Sequence, residues 1–333
     1  MERNMNQMTE PTTQIKRLNL LVTKYCNLHC RMCDFTQHYP DDELSLELLR
    51  SIIKEFAALG GQQLEMSGGE PMVRKGIYDI VADSHSYGLK TLMMSNGVLI
   101  GDAEVQKLLE AGLSAITFSL EGPEPLNDKL RGPGNFQKTL GAIGSFLRRQ
   151  AQYPDFQVYI GITLSRYNYQ SIVSFSKYLL EEVGVHKISI NPFEKWLLKG
   201  ENREIRPVEF AITPEIIPSL TQELNRLMEY GKTVPDRLPP SSYLRKVPDF
   251  FMGKNFIPPG GCQIPSTFFG VDPVGWVYPC WKIRNPVGNL KEMTLADVLK
   301  APSYRELCEQ SLAGKCNGCL TSCYAEIVEP VNA

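Results

Sequence analysis

Nowhere in the 333 residues is there a run approaching the ~18 continuous apolar residues of a membrane span. Residues 1–14 are polar and lack the apolar core of a signal peptide. Neither sign of charge is in excess: 35 Lys and Arg face 37 Asp and Glu, a net charge of −2. A broad polybasic surface is therefore excluded, and with it nucleic acid as a main partner. Histidine is scarce, with four residues, and no cysteine occurs in the 228 positions between Cys33 and Cys262. These absences point to a cytoplasmic protein with no membrane partner.

What is present is cysteine in two groups. Three lie at 26, 30 and 33, and six at 262, 280, 308, 316, 319 and 323. Nine is an odd number, which argues against a simple disulfide framework. In a reducing compartment, clustered cysteines read as metal ligands or reactive thiols.

Residues 17–193 alternate short β-rich runs with helix-period segments. The strands are predicted at 17–23, 62–67, 90–95, 114–119, 157–164 and 186–191. Helical patterns fall at 45–59, 77–87, 102–111, 136–150 and 168–183, the first with Ser45 as N-cap. Repeated β-then-α units imply parallel strands with right-handed crossovers. Six units fit an α/β fold built as a partial (β/α)6 TIM-like barrel, short of the closed eight-unit form. Composition shifts beyond this point: 16 of the 23 prolines fall in residues 192–330. The expected division is an N-terminal extension (1–16), the partial barrel (17–193), a helical and Pro-rich linker (194–261) and a small cysteine-rich domain (262–333). The linker holds one convincing helix at 214–230, and the last domain a hairpin at 268–278. So small a segment, with few apolar runs, needs a staple such as a metal centre.

The first cysteine group directly follows the first strand as Cys26-x3-Cys30-x2-Cys33. Three thiolates on one loop can grip one face of an iron–sulfur cubane and leave its fourth iron open. A zinc knuckle is the competing reading, with His29 and His38 the only nearby candidates for a fourth ligand. Parallel β/α sheets carry ligand sites at the C-terminal ends of their strands, where this loop lies.

The loop resembles the signature of the radical S-adenosylmethionine (radical SAM) superfamily, and further motifs follow it in the order usual there. Gly68-Gly69-Glu70-Pro71 follows the second strand, Ser95-Asn96-Gly97 the third, and Ser119-Leu120-Glu121-Gly122 the fourth, with Arg131 shortly after. The resemblance implies a 4Fe–4S cluster on Cys26, Cys30 and Cys33, with SAM chelating its open iron. It implies that Gly68, Gly69, Glu70 and Pro71 receive the methionine amine, that Ser119 contacts the ribose, and that Arg131 pairs with the methionine carboxylate. Asn96 and Asn191, at two further strand ends, join this set of cofactor-binding candidates. The position before the third cysteine is often aromatic in the family; here it is Met32, and Phe35 is the candidate for the flat contact to adenine. The implied chemistry is reductive cleavage of SAM to a 5′-deoxyadenosyl radical, which abstracts a substrate hydrogen atom. An electron donor such as flavodoxin or ferredoxin is implied with it.

The second group resembles the C-terminal SPASM or twitch extension of such enzymes. Cys262, twelve residues, Gly275, four residues and Cys280 precede Cys316-x2-Cys319-x3-Cys323. The resemblance implies one auxiliary 4Fe–4S cluster on four of Cys262, Cys280, Cys316, Cys319 and Cys323, the first four being preferred. Cys308 reads as a core residue or as a hydrogen donor to a substrate radical. Two functions follow as expectations. One is oxidation or epimerisation of a small metabolite such as a sugar or aminocyclitol. The alternative is a maturase acting on a ribosomally made peptide or protein side chain. Against the second, the 25 residues before Cys26 are too few for a leader-binding domain.

Overall fold

The computed structural model describes residues 15–35, 39–40, 42–194, 208–283, 285–316 and 318–321. Strands β1 (Arg17–Thr23), β2 (Gln63–Gly68), β3 (Lys90–Ser95), β4 (Ala115–Ser119), β5 (Gln157–Leu164) and β6 (Lys187–Pro192) pair in parallel, each with the next. Between them run α1 (Leu46–Ala58), α2 (Ile77–Ser86), α3 (Asp102–Glu110), α4 (Glu124–Arg131) and α5 (Asn135–Leu147). The pattern expected from the sequence is present, with one helix more. Residues 124–131, which carry no helical signal of their own beyond two turns, form α4. Ser45 caps α1 as expected, accepting the Leu48 N–H at 3.2 Å. The helix expected at 168–183 is broken into a 3-10 turn (Tyr169–Ser171), α6 (Ile172–Lys177) and a π turn (Tyr178–Val183). The wider π turn still buries Leu179 and Leu180 before Gly184 ends it. Helix α7 (Ile217–Gly231) follows and packs on α6.

Alternate strand positions separate two faces. Leu18, Leu20, Leu64, Met66, Ile116, Phe118, Val158, Ile160, Ile188 and Ile190 are buried beneath the helices and form the main core. The opposite face carries Asn19, Glu65, Ser67, Thr117, Ser119, Tyr159, Thr163, Ser189 and Asn191, most of them half-buried. A closed TIM barrel fills this face with branched apolar side chains. Here most of it is polar, with Leu21, Leu92 and Met94 among the apolar exceptions, so the inner face lines a lumen suited to a ligand.

The C-terminal part is not a free-standing lobe. Strand β7 (Phe268–Val271) pairs in parallel with β1, and β8 (Trp276–Tyr278) and β9 (Gly288–Asn289) continue antiparallel, giving one nine-stranded sheet in the order β6-β5-β4-β3-β2-β1-β7-β8-β9. Helices α8 (Leu295–Lys300) and α9 (Pro302–Leu312) pack behind it. Glu55 of α1 accepts the Leu295 and Ala296 N–H groups at 3.0 and 2.9 Å, fixing the first turn of α8 to the barrel. Phe269, Val271, Val277, Val298 and Tyr304 belong to the same core as the barrel strands. The shared core supplies burial that a short segment could not assemble alone.

The hairpin turn expected at Asp272–Gly275 holds Asp272 fully buried, with the Val274 and Trp276 N–H groups donating to Oδ1 at 3.1 and 2.9 Å. Burial nevertheless pushes its carboxyl up to about 6 from the usual 3.8. The folded state therefore binds this proton more tightly than the unfolded chain. The contribution to stability is complete below about pH 4 and falls as pH rises to about 6, by up to ~3 kcal/mol. An Asp272→Asn protein keeps an acceptor for both N–H groups and should lose this slope, measured as urea midpoints from pH 4 to 7. An unchanged slope would assign it to another group.

Candidate active site

The cysteine loop is anchored at both ends. Where β1 stops, the Glu43 carboxylate accepts the Thr23 hydroxyl at 3.0 Å and the Lys24 N–H at 2.5 Å, while Arg74 pairs with its other oxygen at 3.1 Å. The end of β2 then lies against the loop: Gly69 N–H donates to Thr23 O and Glu70 N–H to Tyr25 O, both at 2.8 Å. A Cβ on Gly68 would come within 2.3 Å of Thr23 O, and one on Gly69 within 2.1 Å of Tyr25 O. Gly68 also has a φ of +123°. The two glycines are thus required for this approach.

Burial pushes the Cys26 thiol up to about 11, and the Cys30 and Cys33 thiols up as well. Polar groups are arranged to compensate thiolates. Leu28 and Phe35 N–H groups donate to Cys26 and Cys33 Sγ at 3.4 Å; Asn96 Nδ2 and Arg131 Nη1 lie 3.9 Å from Cys26 and Cys30. None of the eight described cysteines is in a disulfide. Among the described residues, no three His, Cys, Asp or Glu side chains converge closely enough to hold a single metal ion. A tetrahedral zinc needs sulfurs about 3.8 Å apart, from Zn–S bonds of ~2.3 Å. Three thiols on one loop, with N–H and guanidinium donors directed at their sulfurs, suit a cubane, in which each thiolate would bind a different iron.

Met32 has an apolar setting. It is buried with Leu130, Phe193 and Phe210, against Cys30. On the other side of the loop, Phe35 is buried with its ring 5.1 Å from that of Tyr39. An ion pair of Arg31 with Glu209, which also accepts the Tyr167 hydroxyl at 3.1 Å, closes the outer side.

Of the strand-end candidates, the Gly69–Glu70 segment and Asn96 lie against this loop. Glu70 is almost fully buried and takes the Ser95 hydroxyl at 2.8 Å, the Asn96 N–H at 2.7 Å and the Met72 N–H at 3.1 Å. Burial raises its carboxyl in spite of these donors. Its side chain ties β2 to β3, leaving the backbone of this segment facing the loop. Asn96 reaches Asn27 Oδ1 at 2.8 Å. Ser119 and Asn191 lie on the lumen face at the ends of β4 and β6. Pro71 opens a 3-10 turn.

Arg131 has a partner that the motif alone does not reveal. Its Nε and Nη2 donate to Glu121 Oε1 at 3.0 and 2.5 Å, and both side chains are buried. Burial alone would lower the guanidinium, but the carboxylate beside it more than compensates and keeps it charged. Glu121 Oε2 accepts the Thr163 N–H at 2.8 Å, and Asn168 Nδ2 donates to Glu121 O and Thr163 O, both at 2.9 Å. The pair fixes Arg131 with Nη1 turned to the cysteine loop. Glu121→Met should cost about 3–5 kcal/mol, because the guanidinium is left buried without its carboxylate. The drop in denaturation midpoint measures this; a change within experimental error would remove the anchoring role.

Cys262, Cys280, Cys316 and Cys319 line one cavity of about 550 Å³ with Lys282 and Ser311. Chain ends are pinned there: Cys262 N–H donates to Ser311 O at 3.0 Å and Cys319 N–H to Phe256 O at 2.9 Å. Lys282 N–H donates to Cys280 Sγ at 3.4 Å. Burial pushes the Cys262 and Cys319 thiols up, with the Lys282 cation pulling Cys319 the other way. Four thiols around a cavity of this size fit a cubane ligated by four cysteines. Cys323 lies outside the described residues. Cys308 lies elsewhere. It is buried in α9 within the main core, beside Tyr304, whose hydroxyl donates to Pro265 O at 2.9 Å.

Hydrogen bonds on the lumen face reach toward the second cysteine group. Asn19 Nδ2 donates to Glu65 Oε2 at 3.2 Å, and Gln63 Nε2 to Glu65 Oε1 at 2.9 Å. Asn19 Oδ1 accepts the Ser67 hydroxyl at 3.4 Å and the Trp281 Nε1–H at 3.2 Å. Trp281 follows Cys280 and lies over Gly270, where a Cβ would come within 2.4 Å of its ring. Sequence reasoning missed Asn19, Glu65 and Trp281 as lumen residues. The available signal was clearest in β2, where polar Gln63, Glu65 and Ser67 alternate with buried Leu64 and Met66; Trp281, outside any strand, gave none.

No helix among the described residues is long and apolar enough to cross a membrane. The Radical SAM superfamily model matches residues 20–179, and the SPASM model, an iron–sulfur cluster-binding domain, matches residues 262–320. An AdoMet-dependent heme synthase of Methanosarcina barkeri (strain Fusaro) is 27% identical over 311 residues, covering 90% of this chain and 86% of that protein. Streptococcus suis SuiB, solved with S-adenosylmethionine, superposes with a TM-score of 0.69 at 17% identity, covering 95% of this chain and 75% of that one. SuiB has also been solved with its precursor peptide SuiA. The enzyme anSMEcpe with bound AdoMet gives a TM-score of 0.67 at 17% identity, covering 91% and 86%. The chain belongs to the radical SAM superfamily, with a SPASM-type domain at 262–320, and its resident groups are a SAM-binding 4Fe–4S cluster, SAM and an auxiliary cluster.

Proposed function

We propose that the protein catalyses a two-electron oxidation of a small metabolite held in the lumen, with the auxiliary cluster taking the electron left on the substrate. When bound, SAM and the first cluster supply hydrogen-atom abstraction from an unactivated C–H bond, and the second cluster supplies a one-electron acceptor. The observation that supports this reading is the polar path from the lumen to the second cysteine group, through Asn19, Trp281 and Cys280.

In this reading Cys26, Cys30 and Cys33 hold the first cluster, and Cys262, Cys280, Cys316 and Cys319 the second. The Gly68–Pro71 backbone, Asn96, Ser119, Arg131, Asn191 and Phe35 bind SAM. Asn19 and Ser67 orient the substrate by hydrogen bonds, with Trp281 holding Asn19 in place. The substrate C–H bond would give up one hydrogen atom; a bound auxiliary cluster would supply the acceptor for the remaining electron and return it to a flavodoxin or ferredoxin, with Glu65 placed to take the proton. A flavodoxin or ferredoxin supplies the electron that starts each turnover. A cytoplasmic setting keeps the thiols reduced before cluster assembly. Cys308, buried among core side chains, has a packing role.

The AdoMet-dependent heme synthase among its relatives makes a heme precursor the first substrate to test, before sugars and aminocyclitols. The test is anaerobic reconstitution with SAM and reductant. A metabolite should be converted to a product two electrons more oxidised, with one 5′-deoxyadenosine released per product. If only a peptide raises 5′-deoxyadenosine release and gains the modification, the maturase reading replaces this one.

A further inference from the structure

The parallel sheet leaves the barrel open between two edges. One edge is β6. The other is β9, the last strand of the β7–β8–β9 extension beyond β1. Two contacts cross this seam. The Tyr243 hydroxyl lies 3.0 Å from Ile190 O of β6 and 3.4 Å from Leu320 O, next to Cys319. The second contact is an ion pair of the Lys282 ammonium with the Glu194 carboxylate. Glu194 lies two residues past the end of β6, and Lys282 two residues past Cys280. Both side chains are less than one-fifth exposed, so solvent screens them weakly. Lys282 lines the same cavity as the four cysteines, and its charge is felt at Cys319.

We propose that Lys282 is a positioning residue for the auxiliary cluster, a cation fixed by Glu194 that raises the cluster's electron affinity. The proposal rests on the auxiliary-cluster ligand set given above. A cubane on four thiolates is negatively charged, and one-electron reduction makes it more so. A nearby cation therefore favours the reduced form over the oxidised one, and cluster potentials respond to such local charge. Glu194 partly offsets the cation while holding it in place. Removing either partner should thus move the potential in opposite directions. A pair that merely closed the seam would give disturbances of the same sign.

The experiment is an equilibrium redox titration of the reconstituted full chain, following the auxiliary-cluster EPR signal in a Cys30→Ala background, with iron counted in every sample. Lys282→Met should lower the reduced-to-oxidised ratio at fixed applied potential about tenfold, equivalent to about 59 mV for one electron. Lys282→Arg should restore it, and Glu194→Gln should raise it. Unchanged potential in Lys282→Met with iron retained would overturn the proposal. So would shifts of the same sign in Lys282→Met and Glu194→Gln. If Lys282→Met loses its iron, the upward shift in Glu194→Gln decides, and its absence overturns the proposal. Iron near four per chain in the protein with all nine cysteines would overturn the ligand set, and the proposal with it.

Discussion

A Cys30→Ala protein is expected to lose about four iron atoms per chain and to release no measurable 5′-deoxyadenosine, a fall of more than ~10³-fold. The effect should be all-or-none because each of the three thiolates would bind a different iron and the loop holds no fourth cysteine. His29 is the only histidine of the loop among the described residues. Cys30 is also the thiol closest to the Arg131–Glu121 pair, with Nη1 3.9 Å away. That pair is held from behind by Thr163 and Asn168, so it should survive the substitution. Circular dichroism and the denaturation midpoint should therefore stay near those of the unsubstituted protein, while iron and activity fall together. Cys26→Ala and Cys33→Ala should behave alike. Retention of the full iron complement with undiminished SAM cleavage in any of the three would refute the ligand assignment.

The barrel was legible because its signals are local. Runs such as Arg17–Thr23 and Gln157–Leu164 carry their own apolar periodicity, and their bounds in the structure match the expectation. Ser45 announces α1 by a capping hydrogen bond three residues long. The C-terminal hairpin was legible from its turn, but its partner was not. Pairing of β7 with β1 joins Phe268 to Arg17, and no local pattern encodes so distant a register. The expectation of a lobe dependent on metal for its core follows from that gap, since the missing core is the barrel's own. Helix α4 was missed for a different reason. Its eight residues hold two buried positions, Asn127 and Leu130, too few for a period to emerge.

The site shows the same division. Cysteine spacing and the Gly68-Gly69 pair are local chemistry and could be read directly. The partners that orient the functional groups are distant in sequence. Glu121 sits ten residues from Arg131 inside a recognised motif, yet only the fold turns its carboxylate toward the guanidinium. Glu194 and Lys282 meet only because the barrel is incomplete. Charge-pairing across an opening is a property of the assembled sheet.

Loss of the second cluster should separate two processes that the first cluster couples. Cys262→Ala and Cys319→Ala are each expected to remove about four iron atoms and to lower product formation at least ~100-fold, about 2.7 kcal/mol in barrier, while SAM is still cleaved. The residues proposed to hold the first cluster and SAM follow β1 to β4 and β6, and no described hydrogen bond ties Cys262 or Cys319 to them. The substrate radical would then have no acceptor within the lumen and would recover a hydrogen atom without net oxidation. The ratio of 5′-deoxyadenosine to product, near one in the intact protein, should rise steeply in both variants. Substitution at Cys308 gives the contrast. That thiol is buried in the core and touches neither cavity, so Cys308→Ala should leave the ratio near one. If the cysteine variants lose their iron and keep the ratio near one, the auxiliary cluster is a structural staple and the electron leaves the lumen by another route.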